Sequence, residues 1–193
     1  MDLEESAAAV AKILDRLGIV YAVTGGYALA FTGRLRTTFD IDIILELPAS
    51  RVDALASALQ KISEAAYVDK NMILRAVERH GEFNVINPDS GVKIDFWVQG
   101  ASPYIKEKLK RREMRYINGY KVSFVSPEDL ILSKLLWHKV SESEQQFKDV
   151  ESLVLMQKNL DWPYLWKWSK KQGTARILRE LKAQASKQDK RVK

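Results

Sequence analysis

Apolar and polar residues follow two different periods along this chain, and the switches between them mark its elements. Ala7, Val10, Ala11, Leu14 and Leu17 recur at helical spacing over residues 3–17, predicting an amphipathic helix that Gly18 ends. Ile19 to Val23 is a short apolar run suited to a buried strand, and it leads directly into Gly25-Gly26. Tyr27 to Phe31 has room for about two turns of helix before Gly33. From Phe39 the period becomes two: Phe39, Ile41, Ile43 and Leu45 share one face of a strand, while Thr38, Asp40, Asp42 and Ile44 share the other. Pro48 closes that strand, and Ser50 is placed to cap a helix lined by Val52, Leu55, Ala56, Leu59 and Ile62. Residues 66–80 have no clean period and suggest a short strand and a helical turn. Glu82 to Ile86 and Val92 to Val98 then form a hairpin around Asn87 to Gly91. Its second strand sets Val92, Ile94, Phe96 and Val98 against Lys93, Asp95 and Trp97.

Arg111 to Val125 predicts another hairpin, with Asn118-Gly119 as a type I′ turn. Ser126-Pro127 followed by Glu128 and Asp129 opens a helix running to about Val140. Further helices are expected from Glu144 to Met156, from Trp162-Pro163, and after Gly173, with a frayed tail from about Ser186. The pattern is that of an α+β protein with α/β-like character. A mixed sheet backed by helices would occupy residues 1–125, and a helical section with a basic tail residues 126–193.

Composition narrows the chemistry. Of 193 residues, 46% are hydrophobic, enough for a real core. The absence of cysteine excludes disulfides and thiolate metal sites, and two histidines argue against a histidine-built zinc site. No apolar run approaches the ~18 residues that span a bilayer, and the acidic start lacks the pattern of a signal peptide, so a cytoplasmic protein without a membrane partner is expected. Charge is uneven. Residues 1–100 hold 10 Lys/Arg and 14 Asp/Glu, net −4, leaving 21 and 11, net +10, for residues 101–193. Such a basic second half suits a polyanionic partner such as RNA, and equally a solvated lysine-rich surface.

The candidate chemistry lies in residues 24–43. Asp40 and Asp42, two apart on a strand, project side by side, and oxygen-only ligands of this kind suit Mg²⁺. Aspartate is disfavoured in strands, so two of them flanked by Phe39, Ile41 and Ile43 need a reason beyond structure. A two-ion site would need a third acid, and Asp95 on its own alternating strand is the candidate. Gly25-Gly26 between strand and helix lets backbone N–H groups approach phosphate oxygens, though it is also simply a permissive turn. It lacks the Lys-Ser/Thr of a P-loop and the third glycine of a dinucleotide fingerprint. His138, the cluster of Trp162, Tyr164, Trp166 and Trp168, and the basic run from Lys106 to Arg115 fit packing or solvated surface at least as well as function.

Gly25-Gly26, Asp40-Ile41-Asp42 and Asp95 within Lys93-Ile94-Asp95-Phe96 together resemble the DNA polymerase β-type nucleotidyltransferase superfamily. The run GGYALAFTGRLRTTFDIDI is most similar to small prokaryotic nucleotidyltransferases related to AbiE-type toxins, matching at Gly25, Gly26, Ala28, Leu29, Gly33, Arg36, Thr38, Asp40 and Asp42. Ser126-Pro127-Glu128-Asp129-Leu130 with Lys134, then Lys148-Asp149, resembles the helical segment such proteins place after the core. The resemblance covers about residues 3–155 and implies transfer of an NMP from an NTP such as ATP to an acceptor hydroxyl. It implies Asp40, Asp42 and Asp95 as metal-binding and catalytic acids, with Asp95 helping to deprotonate the hydroxyl. Gly25 and Gly26 would hold the triphosphate, Arg36 and Thr38 would sit beside the acids, and Lys134 would neutralise phosphate charge. The expected acceptor is a nucleic acid such as tRNA, then a protein or small molecule. The alternatives are a toxin paired with an antitoxin protein and an inactive nucleotide-binding module.

Overall fold

The computed structural model describes residues 1–32, 38–62, 66–88 and 90–192. The chain divides into two compact units, Met1–Ala28 with Arg36–Val125, and Leu29–Leu35 with Ser126–Lys193.

The first unit is built on a six-stranded mixed sheet. Helix α1 (Leu3–Arg16) opens with a capping box, the Asp2 carboxylate accepting the Glu5 N–H at 2.8 Å and the Glu5 carboxylate accepting the Asp2 N–H at 2.9 Å. Strand β1 (Val20–Thr24) passes straight into the six-residue helix α2 (Gly25–Ala30). Then come β2 (Asp40–Glu46), α3 (Val52–Leu59), α4 (Lys70–Arg79), β3 (Glu82–Ile86), β4 (Lys93–Val98), α5 (Pro103–Lys110), β5 (Glu113–Ile117) and β6 (Tyr120–Phe124). The strand order is β3-β4-β2-β1-β6-β5. Strand β2 runs antiparallel to β1 and parallel to β4, while β3/β4 and β5/β6 are the two hairpins.

Period-two alternation splits the sheet into unlike faces. Ile41, Ile43, Leu45, Ile94, Phe96, Val98, Phe83 and Val85 are all buried on one of them. Phe83 and Phe96 stack across the β3/β4 pair with ring centroids 4.7 Å apart. Helix α1 packs on β1, β2 and β6, α4 on β3 and β4, and α3 touches both helices. Burial of this apolar layer holds the unit together and leaves the other face of β2 and β4 for polar side chains.

Two local expectations change. Phe39 precedes the strand and is 71% exposed, because pairing with β4 starts only at Asp40 opposite Lys93. Ser50 does not cap α3: Ala49–Arg51 winds as a 3₁₀ turn after the extended Pro48, and α3 follows without a side-chain cap. Residues 66–80 contain both elements that the pattern suggested, a bridge from Tyr67 to Ile86 and then α4, capped where the Asp69 carboxylate accepts the Asn71 N–H. Asn118 and Gly119 have φ of 47° and 74°, the conformation a type I′ hairpin turn requires.

The second unit contains α6 (Pro127–Ser141), α7 (Glu144–Met156), α8 (Trp162–Gln172) and α9 (Ala175–Val192). Its helices are fastened by buried polar groups. The Asp129 carboxylate, fully buried, accepts from the Ser126 hydroxyl at 2.9 Å and the Tyr164 hydroxyl at 2.8 Å, joining α6 to α8. Lys134 and Asp149 form an ion pair at 2.7 Å with side-chain exposures of only 5% and 0%, joining α6 to α7. His138 bonds the Ser143 carbonyl through Nδ1 at 2.9 Å and packs on Phe147 at the turn between these helices. Within the tryptophan cluster Trp168 is buried, and the Lys182 ammonium sits 3.8 Å from the Trp162 ring centroid, joining α9 to α8. The expected frayed tail is instead helical backbone through Val192, since no Gly or Pro interrupts α9.

Candidate active site

The acids meet through sheet register. Strand β2 pairs with β4 so that Asp42 lies opposite Asp95 and Asp40 opposite Lys93. Through the flanking strands, Asp42 also lies opposite Thr24, and Asp95 opposite Asn84. Thr24, Asp42, Asp95 and Asn84 therefore form one continuous row of polar side chains across four strands, all partly accessible. Asp40 and Lys93 form the start of the row before it on the same face, and Asp40 is exposed. Ile44, buried, and Trp97, partly buried, form the apolar row on the other side. The three acids thus line one end of an otherwise apolar stretch of sheet.

The glycine turn is fitted to these acids. Gly25 has φ of 69°, a region L side chains rarely adopt. A Cβ at Gly25 would come within 1.8 Å of Asp42 Oδ2, so the Asp42 carboxylate lies against the turn where any side chain would stand. A Cβ on Gly26 would meet the Thr38 hydroxyl at 3.3 Å. Thr38 Oγ1 in turn lies 3.3 Å from both the Asp40 amide, whose N–H it accepts, and the Asp40 carbonyl, to which it can donate. Gly25, Gly26, Thr38, Asp40, Asp42 and Asp95 are consequently gathered in one place in this unit.

Two further residues belong to the constellation. Lys93 extends along β4 so that its ammonium contacts both oxygens of Asp95, at 2.7 and 2.9 Å. That hydrogen bond holds the Lys93 pKa above its usual value against some burial, with Asp95, Asp40 and Glu82 adding electrostatic support. Asn84 supplies the amide at the β3 end of the row. The alternation that places Asp95 also places Lys93, two residues earlier on the same face, so the signal was present. Asn84 needed the hairpin register, which its own strand does not announce.

Arg36 lies outside the described residues. Lys134 stands in the second unit, where the Asp149 carboxylate and the Gln146 side-chain amide oxygen, the latter at 3.2 Å, hold its ammonium. Within the basic run, Lys108 is buried, Arg112 donates to the Leu109 carbonyl at 2.6 Å and Arg115 pairs with Glu113, while Lys106 and Lys110 are exposed.

A family model described as a nucleotidyltransferase of unknown function (DUF6036) matches residues 1–192. The chain belongs to this nucleotidyltransferase family. Solved structures with TM-scores above 0.5 share the fold. An antigenic nucleotidyltransferase-like protein from Paracoccidioides brasiliensis superposes with a TM-score of 0.53 at 21% identity, over 79% of this chain and 75% of the other. ANT(2")-Ia in complex with adenylyl-2"-tobramycin superposes with a TM-score of 0.51 at 14% identity, over 93% and 94%. The lincosamide antibiotic adenylyltransferase LnuA, lincomycin-bound, gives 0.49 at 16% identity over 74% and 90%. Among curated protein sequences none matches significantly. The family assignment and the shared fold agree with a mixed-sheet nucleotidyltransferase, without distinguishing an AbiE-like subtype.

Carboxylate oxygens are the donors that Mg²⁺ prefers, and the fit to such an ion rests on Asp42 reaching into the Gly25 cradle beside Asp95. Among the described residues no three acidic or histidine side chains already converge as a closed metal cage, and Asp95 is engaged by Lys93. The residues therefore match the ion in donor chemistry, with Lys93 standing at one of the three acids.

Proposed function

We propose that this protein is a Mg²⁺-dependent nucleotidyltransferase that moves an NMP from an NTP to an acceptor hydroxyl and releases pyrophosphate. The observation that carries this reading is the Asp42 carboxylate seated in the space a Gly25 side chain would fill, with Asp95 directly across the strand pair. Phosphate and metal chemistry need a backbone cradle and carboxylates side by side, and this packing supplies both from one turn and two strands.

Asp40, Asp42 and Asp95 would hold two Mg²⁺ ions, which supply charge neutralisation on the phosphates and polarise the reacting phosphorus. The backbone N–H groups of Gly25 and Gly26 bind and orient the triphosphate. Thr38, between Gly26 and Asp40, keeps the turn and the strand start in register. Asp95 accepts the proton of the acceptor hydroxyl as its oxygen bonds to the α-phosphorus and the bond to the pyrophosphate oxygen breaks. Positioning and charge, rather than covalent chemistry by the protein, accomplish the transfer. The net +10 of residues 101–193 favours a nucleic-acid acceptor, because each phosphate contact gains affinity through counterion release.

The test is incubation of the protein and Mg²⁺ with each α-labelled NTP in the presence of RNA, DNA, an aminoglycoside or no acceptor. Label transfer to RNA that Asp42→Asn abolishes is the expected result. Label on the aminoglycoside alone would replace the acceptor, and no transfer together with no triphosphate binding would overturn the enzyme reading.

A further inference from the structure

We infer that Lys93 is a tethered counter-cation of the acid row, occupying the oxygens of Asp95 that a divalent ion needs and so setting how tightly this site takes metal. The inference rests on the proposed nucleotidyltransferase reading, and concerns a residue outside its assumed ligands.

Geometry carries it. Lys93 and Asp95 stand two apart on β4 and face the same side of the sheet, and the ammonium lies 2.7 and 2.9 Å from the two carboxylate oxygens. An ammonium held against both oxygens puts a positive charge where a divalent ion would approach, and repels it. The same lysine lies opposite Asp40 in the β2/β4 register, so its charge serves both outer acids. Three like charges on neighbouring strand positions repel one another, and Lys93 offsets that repulsion within the chain. Asp95 is 14% exposed and Lys93 39%, so the pair is partly shielded from solvent while the lysine keeps room to withdraw. A long flexible stem with a single point charge suits a removable cation better than the fixed fork of arginine.

A divalent ion held at Asp95 would push the Lys93 ammonium outward, because the two cations repel one another at one carboxylate. Two properties follow. Metal binding is weaker than three aspartates alone would give, so the site fills only at substantial free Mg²⁺ or when an incoming triphosphate brings the ion with it. The acid row also tolerates folding without metal, because its counter-charge is built in.

The experiment measures Mn²⁺ binding to the full chain by electron paramagnetic resonance and calorimetry, without nucleotide, for the wild type, Lys93→Met, Lys93→Arg and Asp42→Asn. Lys93→Met is expected to bind Mn²⁺ about five- to tenfold more tightly, the size of removing one partly exposed ion pair and its repulsion of the metal. Lys93→Arg is expected to bind no more tightly than wild type. In thermal melts, Mn²⁺ should raise the Tm of Lys93→Met more than that of wild type, and the apparent Mg²⁺ requirement for transfer should fall. Equal or weaker Mn²⁺ binding by Lys93→Met, while Asp42→Asn abolishes binding, would overturn the role of Lys93 and leave the metal site intact. Absence of Mn²⁺ binding in wild type and Lys93→Met alike, at millimolar metal, would overturn both the metal reading and this inference.

Discussion

Gly25 concentrates two constraints in one position. Its φ of 69° and the Asp42 oxygen within 1.8 Å of a hypothetical Cβ act independently, and they can be separated by comparison with Gly18. Gly18 has φ of 64° and nothing within 4 Å of a Cβ, so alanine there meets only the backbone penalty. Gly18→Ala is expected to cost about 1 kcal/mol with transfer activity unchanged. Gly25→Ala should cost more, about 2–3 kcal/mol, and should lower kcat/KM on the order of a hundredfold because the Asp42 carboxylate has to move, the scale of a misplaced catalytic group. Urea denaturation and steady-state kinetics on the two variants check both halves. Equal effects of the two substitutions would show that the contact with Asp42 has no consequence.

At the scale of elements, polar groups as much as apolar ones fasten the C-terminal helices. Lys134 on α6 and Asp149 on α7 are buried as a pair, with Gln145 donating to Asp149 at 2.9 Å and Gln146 accepting from Lys134 at 3.2 Å. Removing one member leaves the other charge in a site that excludes water. Lys134→Met is expected to destabilise by about 3–5 kcal/mol, and the double variant Lys134→Met/Asp149→Leu to recover most of that loss. Thermal and urea unfolding of the cycle measure this. A lysine held for phosphate binding gives a different outcome, an unchanged Tm with weakened triphosphate affinity. The β3/β4 and β5/β6 hairpins, by contrast, follow from local turn chemistry and alternation, with Asn118-Gly119 in the two left-handed positions that a type I′ turn demands.

Considered whole, the protein couples its stability to alkaline pH through two buried phenols. Burial pushes Tyr21 and Tyr27 up to about 12 from the ordinary 10. In the folded chain both stay protonated where the unfolded chain has released their protons. Their neutral forms thus support the fold fully below pH 10, and that support drains away as pH rises from 10 to 12. Each contributes about 2 kcal/mol at most over that window. Urea midpoints should fall steadily between pH 10 and 12. In Tyr21→Phe the slope should lessen. Among the described residues no helix is long and apolar enough to cross a membrane.

Local chemistry was legible in the residues themselves. Alternation put Asp40 and Asp42 on one face and Asp95 on the corresponding face of its own strand, and Ser126, Pro127 and Asp129 announced the start of α6. Gly25-Gly26 marked the turn, because only a residue without Cβ takes that backbone at no steric cost. Register between strands distant in sequence was not legible. Nothing within β2 says that β4 will lie parallel beside it with Asp42 opposite Asp95, since that pairing is decided by burial of the shared apolar face and closure of the intervening chain. The same holds for Asp42 pressing into Gly25, for Lys93 engaging Asp95 instead of solvent, and for Lys134 turning inward to Asp149. The sequence by itself determined which residues carry the charge and which face of each strand they take. Only the tertiary structure decided which charges meet, because opposite charges choose partners by distance after the apolar faces have been buried.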